Sequence, residues 1–99
     1  MKARKIPVEV ETIQWRDKND TPRLLNWLAQ QNATLTGWSF SEFRISVPTP
    51  EGTTIATPGD WIIKGGKGEY YACKPDIFAM TYELNDAGPR LVVVHDYGQ

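Results

Sequence analysis

The sequence predicts an α+β domain: a curled, barrel-like antiparallel sheet of about five to seven strands that carries one amphipathic helix. Short runs of β-branched and aromatic residues recur along the chain, separated by clusters of Gly, Pro, Asn and Asp. Only residues 21–32 place apolar side chains at helical spacing. With 99 residues, of which 40% are hydrophobic, the chain is expected to form a single domain, 1–99, with one modest core.

The first predicted strand covers residues 6–15. Its apolar residues occupy even positions up to Val10 and odd positions from Ile13 onward. Side chains alternate between the two faces of a strand. The change of parity therefore predicts either a bulge near residues 11–12 or burial on both faces.

The single predicted helix follows a polar loop. Thr21 is expected to be its N-cap and Pro22 its first helical residue, because a proline at that position loses no hydrogen bond. Asn32 is expected to end the helix. The apolar stripe that should face the sheet consists of Leu24, Leu25, Trp27 and Leu28.

The rest of the chain is predicted to form antiparallel strands joined by short turns. Between the last strands, Asp76 should cap one turn of helix at residues 77–80. A turn at 58–60 should lead into a hairpin whose loop is 65–68. The predicted strands are 33–40, 43–47, 53–57, 61–64, 69–73, 81–84 and 91–94.

Composition and charge argue against several classes of protein. The net charge is −1, from 11 basic and 12 acidic residues, whereas proteins that bind nucleic-acid backbones usually show a basic excess. With one cysteine, no intramolecular disulfide can form. The chain shows neither a signal-peptide pattern nor a run of about 20 apolar residues, so we expect no membrane span and a cytoplasmic location.

Residues typical of catalysis are too few to predict an enzyme. His95 is the only histidine and Cys73 the only cysteine, and no nucleophile–base signature surrounds either. These two residues also lack the spacing of zinc ligands. We predict no catalytic residues, no metal and no cofactor. Cys73 is expected to be a small, buried or semi-buried hydrophobic residue and His95 an ordinary surface or terminal one.

The best candidate site is the glycine-rich loop at 65–68. Its backbone N–H groups could converge on an anion, with lysines around it and aromatic rings beside it for a base. A plain hairpin tip, a structural turn at 58–60 and aromatic side chains that pack in the core are the alternatives. Tyr70 and Tyr71 are expected to split between core and surface, because strand side chains alternate. Phe78 and Tyr82 are assigned mainly to packing. Whether residues 33–52 join a site stays open. The candidate ligand-binding residues are Asp60, Trp61, Lys64, Gly65, Gly66, Lys67, Gly68, Tyr70, Tyr71 and Lys74.

Several motifs resemble those of a family of small phage and prophage proteins. They are Pro58-Gly59-Asp60-Trp61, Lys64-Gly65-Gly66-Lys67-Gly68-Glu69, Tyr70-Tyr71, Cys73-Lys74-Pro75-Asp76-Ile77-Phe78 and Thr81-Tyr82-Glu83, with the opening Arg4-Lys5-Ile6-Pro7-Val8-Glu9-Val10 and Ile13-Gln14-Trp15. The resemblance covers both ends of the chain and little between residues 17 and 50. Gly66 and Ala72 depart from it, because a β-branched residue and a proline are more usual there.

The resemblance implies a small accessory protein that acts in the cytoplasm of the host cell. One hypothesis is that it sequesters a nucleotide-like signal of host immunity, with phosphate on the 65–68 loop, since sequestration needs no catalytic residues. The alternative is docking on a host or phage protein through a sheet edge or an aromatic patch. Nucleic-acid binding is the weakest hypothesis. Formation of a homo-oligomer would add stability to so small a domain.

Overall fold

A computed structural model describes residues 9–84 and 91–94 of the chain. Two helices and a 3₁₀ turn accompany eight strands in this part of the protein. The helices are α1 (Thr21–Gln30) and α2 (Pro75–Thr81), and the 3₁₀ turn is Lys18–Asp20. The strands are β1 (Glu9–Gln14), β2 (Ser39–Phe40), β3 (Ile45–Thr49), β4 (Gly52–Ala56), β5 (Trp61–Lys64), β6 (Tyr70–Cys73), β7 (Tyr82–Leu84) and β8 (Leu91–Val94).

The strands form two antiparallel sheets instead of one curled sheet. The large sheet has five strands in the order β6-β5-β1-β8-β7, and the small sheet has three in the order β2-β3-β4. Neither sheet closes into a barrel within the described residues. The predicted α+β class, the antiparallel strands and the amphipathic helix are therefore confirmed. The strands form two sheets instead of one barrel-like sheet, and the single turn of helix expected at 77–80 is part of a second helix, α2.

The turn at 57–60 explains why the sheets separate. Its Gly59 N–H donates to the carbonyl of Trp15 at 2.8 Å, and the Trp15 N–H donates to the carbonyl of Asp60 at 2.9 Å. These two bonds attach the turn to the end of β1. As a result β5 pairs with β1, with Gln14 opposite Trp61, and does not continue the small sheet beside β4.

β1 lies at the centre of the large sheet and is buried on both faces. It pairs in unbroken register with β5 on one side and β8 on the other, so no bulge interrupts it between Glu9 and Gln14. The adjacent side chains of Thr12 and Ile13 are 0% and 3% exposed. The Thr12 hydroxyl donates to the Ile62 carbonyl at 2.8 Å. Burial on both faces is thus the correct alternative; predicted strand residues 6–8 lie outside the described residues.

α1 is two residues shorter than the predicted helix. Asn32 lies just beyond its end with a φ of 58°, a left-handed conformation that stops a helix and that asparagine tolerates. The N-cap is Asp20 rather than the predicted Thr21. The Thr21 hydroxyl instead accepts a hydrogen bond from the Trp15 indole at 3.0 Å. Of the predicted stripe, Leu25 is exposed, and the buried residues are Leu24, Trp27 and Leu28.

The two faces of the large sheet carry different clusters. α1 and the small sheet contribute to the main core, which consists of Ile13, Trp15, Leu24, Trp27, Leu28, Ile45, Val47, Ala56, Ile62 and Tyr70. α2 contributes to a smaller cluster in which Ile63 and Phe78 are buried and Val10, Trp61, Cys73 and Tyr82 are partly buried. Because residues alternate along β5, Ile62 and Ile63 belong to different clusters.

α2 is longer, and β2 shorter, than predicted. α2 starts at Pro75 and no side chain caps it; Asp76, the predicted cap, lies in its first turn. Turn hydrogen bonds from Ala33 N to the Leu28 carbonyl and from Trp38 N to the Leu35 carbonyl occupy most of the predicted 33–40 strand. Neither described helix has the length and apolar character needed to cross a membrane.

Candidate functional site

The glycine-rich loop at 65–68 satisfies its own backbone donors. Gly65 N–H donates to the carbonyl of Glu69 at 2.7 Å, and Gly68 N–H donates to the carbonyl of Gly65 at 3.1 Å. Lys67 N–H donates to the Glu69 carboxylate at 2.9 Å. Three of the four amides expected to receive a phosphate therefore already have acceptors, and one of these acceptors is an anion supplied by the chain itself.

The Glu69 carboxylate is held in place from the opposite side by Tyr71, whose hydroxyl donates to it at 2.8 Å. The N–H of Glu69 itself, the Tyr71 hydroxyl and the Lys67 N–H lower the pKa of Glu69. The same carboxylate raises the pKa of Tyr71 to about 12. This ionised group would repel a bound phosphate, which weighs against the loop alone as an anion site and favours the plain hairpin tip. In the sequence, the glutamate that directly follows Lys67-Gly68 is the signal that the chain supplies its own anion to this loop.

Asp60 and Lys74 bind each other. The Asp60 side chain, in a residue that is 2% exposed, accepts the N–H of Thr57 at 2.8 Å and its hydroxyl at 3.1 Å. The Lys74 ammonium lies 2.8 Å from the same carboxylate and also donates to the Thr57 hydroxyl. The geometry matches the structural-turn alternative, since the two bonds from Thr57 close the turn on itself and the two from Lys74 join it to the start of α2.

A cavity of about 370 Å³ lies where α1 ends beside the β5–β6 hairpin; we name it the helix-end cavity. Three of the candidate residues, Lys64, Gly68 and Tyr70, line it. The Lys64 ammonium donates to the Gln31 side chain at 3.2 Å, and Gln31 donates to Glu11 at 3.1 Å. The other lining residues are Gln31, Asn32, Ala33, Thr34, Trp38 and Pro48.

Aromatic rings form one wall of the helix-end cavity. Tyr70 meets Trp38 edge to face, with ring centroids 5.7 Å apart and planes at 69°. Burial, and then the charge of Glu11, raise the pKa of Tyr70. Tyr70 belongs to the main core and Tyr71 to the opposite face, which confirms that the tyrosine pair is split between the two sides of β6.

A second concave surface lies between α2 and the large sheet, on the opposite face from α1. We name it the aromatic groove; it measures about 420 Å³ and is lined by Trp61, Pro75, Phe78, Ala79, Tyr82 and Leu84. The Trp61 ring stacks on Phe78 with centroids 4.0 Å apart and planes at 3°. Phe78 in turn stacks on Tyr82 at 5.1 Å. The sequence assigns Phe78 and Tyr82 mainly to packing, and their patterns do not show that they would also border a groove.

Large apolar side chains remain exposed on and beside the aromatic groove. Ile77, Met80 and Leu84 are 48%, 61% and 46% exposed. Cys73 is partly buried at the edge of the same cluster. Burial and the charges of Asp60 and Asp76 raise the pKa of its thiol, so it stays protonated near neutral pH and fits the predicted hydrophobic role.

Two arginines border the groove at Trp61. Arg16 and Arg23, the arginine pair, flank Asp20 with nitrogen–oxygen distances of 2.8 and 3.3 Å. Hydrogen bonds from the Arg16 guanidinium, and further ones from its backbone N–H and from Arg23, hold the pKa of Asp20 well below its usual range, against the effect of burial. A pocket of about 210 Å³ is lined by Gln14, the two arginines and Trp61. Neither arginine is among the residues selected from the sequence.

Within residues 9–84, no three His, Cys, Asp or Glu side chains approach closely enough to hold a metal ion. His95 lies outside the described residues, so its relation to Cys73 stays a prediction.

Comparison with known proteins finds no family model that matches the chain, and neither a curated protein nor a solved structure matches it.

Proposed function

We propose that the protein is a non-enzymatic binding protein that docks on another protein through the aromatic groove. The observation that carries the proposal is an apolar surface that the described residues leave uncovered. α2 has only seven residues, and it covers the second face of the large sheet incompletely. Monomeric proteins usually keep contiguous apolar patches small unless the patch binds something.

The composition of the groove fits a protein interface. Trp61 and Tyr82 are half-buried, with their rings fixed by stacking on Phe78. Tryptophan and tyrosine often dominate the binding energy of interfaces, because a rigid ring buries a large area at a small entropic cost. Leu84, which is 46% exposed and lines the groove, extends the apolar surface beyond the rings. The groove can therefore receive an apolar side chain of a partner without rearrangement of the fold.

The resemblance to small phage and prophage proteins suggests where the partner comes from. In that setting the partner is a host protein that is inhibited or redirected, or a phage protein in an assembly, and the encounter takes place in the cytoplasm of the host cell. Neither role requires catalysis, in keeping with the prediction that the chain is not an enzyme.

The test introduces a charge into the groove without removing core volume. Ala79→Glu suits this purpose, because Ala79 is an exposed helical residue and glutamate forms helices well. Phe43→Glu is the matched control: Phe43 is 72% exposed and lies between β2 and β3, outside the groove. Each of the three proteins serves as bait in an affinity capture. We expect the wild type and the Phe43→Glu control to capture a stoichiometric partner, and we expect Ala79→Glu to capture none.

Hydrogen exchange of the captured complex locates the interface. We expect added protection in α2 and β5, and protection confined to the small sheet would contradict the proposal. Sedimentation of the wild type and Ala79→Glu tests whether a second copy of the chain occupies the groove. In that case the wild type alone would form a dimer.

A second candidate function, sequestration of a nucleotide-like ligand, is favoured by the helix-end cavity. Its volume lies within the range of small-molecule sites, the Lys64 ammonium supplies a positive charge, and Trp38 and Tyr70 supply ring surfaces. The C-terminal carbonyls of α1 and the carboxylate of Glu11, which accepts a hydrogen bond from Gln31 and acts on Tyr70, weigh against an anion there. A panel of nucleotides and cyclic dinucleotides should raise the melting temperature of the wild type and of Lys67→Ala, but not of Lys64→Ala. An unchanged melting temperature across the panel would remove this candidate.

A further inference from the structure

We infer that the partner presents a carboxylate beside the apolar side chain that enters the aromatic groove, and that the arginine pair binds this carboxylate. The inference rests on the proposed docking function and adds the chemistry of the partner to it. It makes the recognised segment an acidic and apolar stretch of polypeptide, rather than an apolar one alone.

The arginine pair and the groove form one continuous surface. Trp61 lines both the pocket of the arginine pair and the aromatic groove, so the two meet at this residue. Gln14 lies opposite Trp61 in the sheet register and lines the arginine pocket too. Side chains two positions apart on an extended segment point to the same side, so such a pair can reach the two parts together.

The guanidiniums of the arginine pair are more accessible than the carboxylate between them. Arg16 and Arg23 carry two positive charges and Asp20 carries one negative charge, while the charge of the exposed Asp17 also acts on Arg16. The two guanidiniums hold the pKa of Asp20 well below its usual range, so Asp20 stays ionised. The side chains of Arg16 and Arg23 are 64% and 43% exposed, whereas that of Asp20 is 11% exposed. A partner can therefore reach both guanidiniums while Asp20 stays covered.

Both arginines also retain unused hydrogen-bond donors. Arg16 bonds Asp20 through Nε and Nη2. Arg23 uses Nη2 for Asp20 and for the Gln14 carbonyl. Among the described residues, Nη1 of Arg16 and both Nε and Nη1 of Arg23 make no further hydrogen bond. Free donors on a fixed guanidinium match the two oxygens of a carboxylate, which gives specificity as well as attraction.

The experiment is a selection from a library of random peptides displayed on beads, with the wild type as target and Ala79→Glu used to remove peptides that bind elsewhere. We expect the recovered peptides to carry Asp or Glu within two positions of Leu, Ile, Phe or Trp. Fluorescence anisotropy of one recovered peptide then measures affinity for the wild type, Arg23→Met and the control Lys67→Met, which removes a lysine at the hairpin loop beyond the far end of β5.

Arg23→Met should weaken binding about tenfold, and Lys67→Met should leave it unchanged. Arg23→Lys keeps the charge but loses the planar donor pair, so it should fall between the two. Binding by the wild type should also weaken at high salt. Melting curves of each variant show that the fold is retained, and Arg16→Met serves in the same assay if Arg23→Met unfolds.

The outcomes separate this inference from the function on which it rests. Peptides that need the groove but lack an acidic residue, or that bind Arg23→Met as tightly as the wild type, would overturn the charged contact and leave the docking function standing. Recovery of no peptide that discriminates the wild type from Ala79→Glu would overturn both.

Discussion

The Tyr71 hydroxyl donates a 2.8 Å hydrogen bond to Glu69, a carboxylate that also accepts the backbone N–H of Lys67 at 2.9 Å. Through this pair, Tyr71 holds the Glu69 carboxylate beside the glycine-rich loop. The hairpin thereby uses three of its four loop N–H groups internally. The two concave surfaces that carry the proposed functions lie instead at the end of α1 and between α2 and the large sheet.

Removal of the Glu69 carboxylate should change the titration of Tyr71. In the wild type the pKa of Tyr71 is raised to about 12, because its proton is shared with an ionised acceptor. In Glu69→Ala we expect this pKa to return toward the ordinary value near 10. Absorbance of tyrosinate against pH measures the change, and Glu51→Ala, which removes a weaker neighbouring charge, is the control. An unaltered titration in Glu69→Ala would show that the bond is not formed.

Asp20→Asn should remove an acid-sensitive part of the stability. Hydrogen bonds from Arg16 lower the folded-state pKa of Asp20 below its ordinary value near 3.8. A depressed folded pKa gives stability that is fully present above the unfolded value and is lost as pH falls below it. We expect Asp20→Asn to lower the free energy of unfolding by about 1–2 kcal/mol at neutral pH. This difference from the wild type should shrink below about pH 4.

Urea unfolding at several pH values measures the effect of Asp20→Asn. Asp76→Asn is the matched control, because Asp76 is an exposed carboxylate in the first turn of α2, and it should change stability by less than about 0.5 kcal/mol. A loss that stays constant from pH 7 to the acid limb would contradict the assignment of the acid sensitivity to Asp20.

Two glycines should respond oppositely to alanine. Gly59 has a φ of +99° and its added Cβ would meet Pro75 at an ordinary 3.8 Å, so Gly59→Ala is penalised by its backbone conformation and should lose about 1–2 kcal/mol. Gly66 has open space around it, so Gly66→Ala should be neutral or should stabilise by up to about 1 kcal/mol. Thermal unfolding of both variants tests the pair. Equal effects would mean that the turn at 58–60 is not held as described.

Phe78→Ala should destabilise the second face of the sheet far more than Ile77→Ala. Phe78 is 5% exposed and stacks on both Trp61 and Tyr82, and truncation of such a ring usually costs about 3–5 kcal/mol. Ile77, its neighbour on α2, is 48% exposed. Its truncation to alanine should lower the free energy of unfolding by less than about 1 kcal/mol. Urea unfolding and near-UV circular dichroism report the two changes. Similar losses would place the Phe78 ring outside the cluster.

Features that depend on nearby residues are the ones the sequence predicts well. The buried stripe of α1, the hairpin of β5 and β6 and the helix stop at Asn32 each follow from local periodicity or turn chemistry. The split of Tyr70 and Tyr71 follows from the alternation of strand side chains. The turn at 58–60 can also be predicted from the sequence, because its Pro-Gly-Asp order sets the backbone conformation.

Features that depend on distant partners are missed. The choice of β1 as the neighbour of β5 rests on the bonds between Trp15 and the 59–60 turn, and no local pattern specifies them. The hydrogen bonds from Lys74 to Asp60 and from Lys64 to Gln31 likewise follow from the way separate elements pack. The arginine pair becomes a candidate only when β5 brings Trp61 beside it.

The pairing of β1 with β8 makes the first strand depend on one of the last segments of the chain. Contacts between such distant residues slow folding, because a long loop must close before they form. On the ribosome, β1 can pair with β5 before residues 91–94 have emerged. Until then the other edge of β1 has unpaired amides and carbonyls, which can pair with a strand of another chain. During synthesis in a crowded cell, we therefore expect this protein to misassemble at the edge of β1 more often than at either edge of the small sheet.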